Sequence, residues 1–118
     1  MSVTSSRTIQ VQFSGDNSEQ IIQSALDNIV SPGMNVVQSL VMGANTITAP
    51  VVSGLVVTGL MIIPPSGNTS LMTLKGVTGD TGIPLHLTDP ISLSLDTTFV
   101  SLVLNAAAAI VGVRFIWT

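Results

Sequence analysis

Residues 98–117 read TFVSLVLNAAAAIVGVRFIW. Two structures compete for such a stretch. It is about as long as the roughly 20 apolar residues a membrane-crossing helix needs. It also divides naturally into two strands at its centre. Asn105 and Arg114 interrupt the apolar run, although an arginine near one end can snorkel to an interface and is not decisive alone. Val, Ile and Phe dominate both flanks with strand-like spacing, and no basic cluster marks a cytoplasmic side. The run therefore reads as a strand over 98–104, a turn over 105–109 and a strand over 110–117. In the second strand, alternation predicts Val111, Val113, Phe115 and Trp117 on one face and Ile110, Gly112, Arg114 and Ile116 on the other.

Working outward, the same punctuation recurs. Residues 51–63 form the other apolar run, 13 residues long and too short to cross a bilayer as a helix. Its segment 54–63 (GLVVTGLMII) is apolar on both faces, which predicts a central strand. Turn clusters follow at 64–68 (PPSGN) and 77–82 (VTGDTG), the latter demanding glycine at positive φ or at close backbone approach. Short strands are expected at 36–42, 46–48, 69–75, 83–87 and 91–95, with Gly43-Ala44-Asn45 and Asp89-Pro90 as breaks. At the beginning, residues 7–13 (RTIQVQF) alternate apolar and polar as a half-buried strand does, and residues 1–6 read as a flexible polar arm without the apolar stretch of a secretory leader.

Residues 16–30 carry the one helical pattern. Ile21, Ile22, Ala25, Leu26 and Ile29 line up as an apolar stripe at helical spacing. Asp16 and Glu19 resemble a capping box, with Asn17 and Ser18 as other caps, and Ser31-Pro32-Gly33 is a stop. The expectation is thus a mainly-β chain with one short helix. About eight strands fold as a β-sandwich or jelly roll, a single domain over residues 7–118.

Composition narrows the function. Only 8% of the 118 residues are charged, against about 25% in an ordinary soluble domain. Arg7, Lys75 and Arg114 face Asp16, Glu19, Asp27, Asp80, Asp89 and Asp96, a net charge of −3. Three scattered cations without a tyrosine do not make a phosphate-binding surface, so nucleic acid is not the expected partner. Thirteen threonines and fourteen serines take the place of charge. They keep a pleated face wet but do not block edge-to-edge pairing as charges do. The economical explanation is a surface covered in the working state.

Catalytic constellations are not legible. There is no cysteine and one histidine, His86, with neither a nucleophile elbow nor a triad partner in sequence. Asp80, Asp89 and Asp96 sit at turns, where aspartate commonly binds its own backbone. Paired acid–base work or loop calcium binding is the alternative. The glycines of residues 76–82 lack P-loop spacing, since Lys75 precedes them. Trp117 reads as a core or interface plug and not as a glycan platform. No enzyme, cofactor, metal or membrane association is expected.

The segments NTITAP (45–50), IIPP (62–65) and TLKGVTGDTGIPLHLTDP (73–90) carry a resemblance. They resemble small accessory virion proteins of tailed bacteriophages, over about residues 45–118. The most specific part is residues 75–82. The resemblance implies a virion protein assembled in the bacterial cytoplasm, of the capsid cement or decoration type. Its partners would be its own copies, a trimer being favoured, and the major capsid protein or other virion proteins. A small tail or tail-tip module that contacts a receptor, with loops 64–68 and 77–82 as its tips, is the alternative. The family lends no catalytic residue.

Overall fold

A computed structural model describes the backbone of residues 3–12 and 20–31, and residues 34–51 and 56–118 with their side chains. The described elements are all strands: β1 (Val3–Gln12), β2 (Gln20–Ser31), β3 (Met34–Leu40), β4 (Gly43–Thr48), β5 (Gly59–Ile63), β6 (Met72–Lys75), β7 (Ile83–Pro84), β8 (Ile91–Ser94), β9 (Ser101–Ala106) and β10 (Ile110–Trp117).

Residues 98–117 resolve as the strand reading requires, with a further refinement. β9 and β10 lie in different sheets, so the apolar run turns a corner of a sandwich. No helix of the described residues is long and apolar enough to cross a membrane.

From β3 onward the chain forms two four-stranded sheets, in the orders β3-β10-β5-β8 and β4-β9-β6-β7. All pairings are antiparallel. The topology follows one rule. β6 pairs with β7, β5 with β8, β4 with β9 and β3 with β10, so the eight strands are one long nested hairpin. Bending that hairpin between sheets brings β10 against β5 and β9 against β6. This is a jelly roll, the double-sheet solution for eight antiparallel strands.

Between the sheets lies one core. Leu40, Leu60, Ile62, Val113, Phe115 and Trp117 of the first sheet meet Ile47, Met72, Leu102, Leu104 and Ala106 of the second. Ile62, Leu104 and Val113 are fully enclosed. Each such side chain contributes roughly 1.5–3 kcal/mol by leaving water. β5 is central, between β10 and β8, as its apolar composition foretold. Trp117 is buried at 3% exposure and tilts against Phe99, ring centroids 6.2 Å apart, so it is a core residue.

Two expectations need correction. The helix predicted over 16–30 is absent: residues 20–31 are β2, which pairs with β1 from Arg7↔Ala25 to Gln12↔Gln20. Ile21, Ile22, Ile29 and Val30 are β-branched and favour the pleat, and β1 supplies backbone partners that a local reading does not count. The cap residues 16–19 lie outside the described residues, as do Phe13 and Pro32-Gly33. The alternation predicted for β10 also fails at its start. Ile110 and Val113 are both buried, whereas Val111 is 77% exposed. The register against β3 shifts between Ile110 and Val113, and Gly112 in that interval has φ +85°. This is a β-bulge, whose extra residue lets two positions three apart point the same way.

Strand bounds move less. β4 begins at Gly43, inside the expected turn, because Asn45 builds the corner itself. Its Oδ1 accepts the Val41 N–H, and its Nδ2 donates to the carbonyls of Val41, Gly43 and Leu104. The strand at the start of the chain begins at Val3, earlier than the expected residue 7. β1 and β2 form a sheet of their own, outside the sandwich.

Candidate interaction surface

Antiparallel connections alternate between the two ends of a sandwich. One end carries residues 41–42, 64–71, 85–90 and 107–109, and the other carries 49–51, 56–58, 76–82 and 95–100 with Thr118. Hydrogen bonds knit each group. Asn68 Nδ2 donates to the Leu87 carbonyl and Ala107 N–H to Leu71 at the first end. At the second, Ala49 N–H donates to Val100 and Thr58 N–H to Thr118. Loops 64–68 and 77–82, expected as the tips of the alternative receptor-binding module, lie at opposite ends of β6.

The sequence-predicted polar residues disperse in the same way. His86 Nδ1 accepts the N–H groups of Thr88 and Asp89 at 3.2 and 3.0 Å. As the acceptor, Nδ1 carries no proton in that arrangement, which selects the tautomer with its hydrogen on Nε2, and the Asp89 carboxylate stands 3.6 Å from Nδ1. Both side chains are well exposed, and the imidazole serves as a turn cap. Asp80 Oδ2 accepts the N–H groups of Gly76 and Val77. Asp96 Oδ2 accepts from Thr98, at 2.6 Å from the hydroxyl and 3.0 Å from the N–H. The Thr98 hydroxyl, then its N–H, holds the Asp96 carboxyl below the ordinary value. Asp80 and Asp96 thus bind their own turns, as turn aspartates do. Asp80 and Asp89 are separated by β7, so they form no acid–base pair. No cluster of three metal-binding side chains occurs among the described residues.

Gly82 explains why the glycine-rich loop has its composition. It sits at φ +84°, where a Cβ would fall 2.6 Å from Thr73 Cγ2, 2.7 Å from Lys75 Cγ and 2.8 Å from the Leu74 carbonyl oxygen. The loop closes the innermost hairpin of the roll, β6–β7, and is shaped by that packing and not by a phosphate.

What the fold assembles is surface. In the sheet β3-β10-β5-β8, register places Arg114 between Val37 and Ile63, and Ile116 between Asn35 and Met61. Ser92 follows opposite Met61. These side chains point away from the core. Val37 is 60% exposed and Met61 36%, with Val111 exposed beside them at the bulge. Arg114 is the only charge on this face, and it has no ion-pair partner among the described residues. The other sheet differs. Its outer face carries Thr46, Thr48, Ser101, Asn105, Thr73 and Lys75, and its one branched aliphatic, Val103, is buried.

The edges are also uncharged. β3, β4, β7 and β8 border the two sheets, and none contains Asp, Glu, Lys or Arg. Charged residues are the usual guard against strand addition. β7 is protected by its shortness and by Pro84, but β3 presents seven residues, Asn35 to Ser39 exposed. Sequence reasoning found the charge deficit but not its location, since the face exists only once β3, β10 and β5 are adjacent.

An apolar cleft of about 240 Å³ opens at the second end, lined by residues that include Ala49, Pro50, Val57 and Phe99. Among the described residues its lining carries no charge. Compared with known protein families, curated proteins and solved structures, the chain matches none.

Proposed function

We propose that this protein is a non-catalytic structural component of a virus particle. In this reading it is a capsid cement or decoration protein that stabilises a bacteriophage head through homo-oligomeric packing. Three copies gather at a symmetry axis and contact the major capsid protein or other virion proteins, having been assembled in the bacterial cytoplasm.

The observation that carries the proposal is the outer face of the β3-β10-β5-β8 sheet. Val37, Met61, Ile63, Val111 and Ile116 surround a lone arginine there. Interface cores are depleted in charge and enriched in such side chains, and a contiguous exposed apolar patch is uncommon on a monomer. The uncharged edges favour the same reading. The jelly roll is compatible with it, being a fold of viral capsid domains, but also of lectins and cupins, so it does not carry the argument. A clamp of this kind needs no reactive group, and His86, Asp80 and Asp96 are each occupied by their own loops.

A reconstruction of the particle tests the proposal. The expected result is density for this chain around the head's symmetry axes, and a shell that opens at lower temperature when the chain is missing. Location in the tail would replace the proposal with the tail-module alternative, and absence from the particle would end both.

A further inference from the structure

The β1–β2 ribbon is a structural problem that the sandwich leaves unsolved. It pairs only with itself, and no sandwich strand packs against it to a comparable extent among the described residues. An isolated two-stranded ribbon is at best marginally stable in water, and needs a third strand or an apolar surface beneath it. This ribbon has the composition to use one. Val3, Ile9, Val11, Ile21, Ile22, Leu26, Ile29 and Val30 lie along it, with Arg7 and Asp27 as its only charges. Register sets Val11 opposite Ile21, Ile9 opposite Gln23, Arg7 opposite Ala25 and Ser5 opposite Asp27, so aliphatic residues gather toward the Val11–Ile21 end and both charges toward the other.

We infer that the β1–β2 ribbon of one copy docks on the outer face of the β3-β10-β5-β8 sheet of a second copy. Three observations select that occupant. The outer face of this sheet leaves Val37, Met61 and Val111 exposed, while the outer face of the opposite sheet presents hydroxyls, Asn105 and Lys75. Charge is complementary at one end only: Asp27, the single acid of the two ribbon strands, can meet Arg114, whose burial unpaired would be costly, while Arg7, two register positions away, must keep its charged head in water. Size fits as well. A ribbon two strands wide and about nine residues long covers about 300 Å² of the surface beneath it, so one docking buries about 600 Å² counting both partners. That is too little for a stable pair alone, which needs about 1,200 Å². Closed exchange supplies the rest, since every chain gives one ribbon and receives one. A reciprocal pair then buries about 1,200 Å², and in a ring of three each chain is held by two dockings that together bury about 1,200 Å². The inference rests on the homo-oligomeric reading proposed above and names the surfaces that join the copies.

The chain has no cysteine, so engineered ones are unambiguous. Val11→Cys and Val37→Cys chains, one of them ¹⁵N-labelled, are mixed and treated with a short bismaleimide, with the oligomer's mass measured in parallel by sedimentation. The expected product is a mixed Val11→Cys to Val37→Cys conjugate, in excess over either homodimeric one. A Val37→Lys chain is expected to lose the oligomer while its sandwich melts within a few degrees of the parent, because Val37 is 60% exposed. An oligomer that gives no mixed conjugate, or that survives Val37→Lys, overturns ribbon docking and leaves the homo-oligomer standing. A monomer at every concentration overturns both.

Discussion

Gly82 and Gly112 form a matched pair that tests how the nested hairpin closes. Their φ values are +84° and +85°, so alanine at either position meets the same backbone penalty. That penalty is about 1–2 kcal/mol. The surroundings differ. A Cβ at Gly112 has nothing within 4 Å, whereas at Gly82 it would stand under 3 Å from Thr73, Lys75 and the Leu74 carbonyl. The carbonyl belongs to the β6 backbone and cannot swing aside, so the β6–β7 turn must open. Forced overpacking of this kind adds about 1–3 kcal/mol. Gly112→Ala is therefore expected to destabilise by about 1–2 kcal/mol and Gly82→Ala by about 2–5 kcal/mol, the sum of these ranges. Urea unfolding of both variants reads the difference as a shift in midpoint at unchanged slope. Equal losses would refute the close packing of residues 76–82 against β6.

Three further outcomes follow from the same structure. Leu104→Ala removes a fully enclosed side chain and should cost about 2–5 kcal/mol in the same unfolding assay, while Val100→Ala, at 68% exposure, should stay within about 0.5 kcal/mol. Asp96 is held below its ordinary value of 3.8 by Thr98. A depressed carboxyl supports the fold above its unfolded value and loses that support as pH falls through the folded one. Thr98→Val should raise the Asp96 value in an NMR titration and weaken the acid-side dependence; an unchanged titration would remove the hydroxyl from the explanation. For His86, ¹⁵N shifts near pH 8 should report the Nε2–H tautomer, because Nδ1 is taken by the Thr88 and Asp89 N–H groups.

Much of the sandwich was legible because its strands are short and punctuated by glycine, proline and asparagine. Residues 98–117 divided at the alanine run, but the corner is narrower than the expected 105–109: Asn105 and Ala106 belong to β9, and Ala106 is buried in the core. Two failures share one physical source. At 21–29 a stripe that fits helical spacing is also a strand with apolar residues at both parities, and the deciding term was pairing with β1, ten or more residues away. At 110–113 strict alternation was broken by a bulge that Gly112 permits, a feature set by register with β3. Asn45 misled differently: a turn-former in sequence, it lies within β4 and builds the corner with its side chain. The turn roles of Asp80 and Asp96 were readable because they are local. The outer face formed by Val37, Met61, Ile63, Val111 and Ile116 was not, because its members come from three strands brought together only by the roll.

The central claim is that this face and its uncharged edges are covered by further copies. Sedimentation equilibrium of the purified chain over a wide concentration range tests it most directly. The account predicts a closed species at three times the 12.2 kDa chain mass, weakened by Val37→Lys. A single species of 12.2 kDa at all concentrations would contradict it.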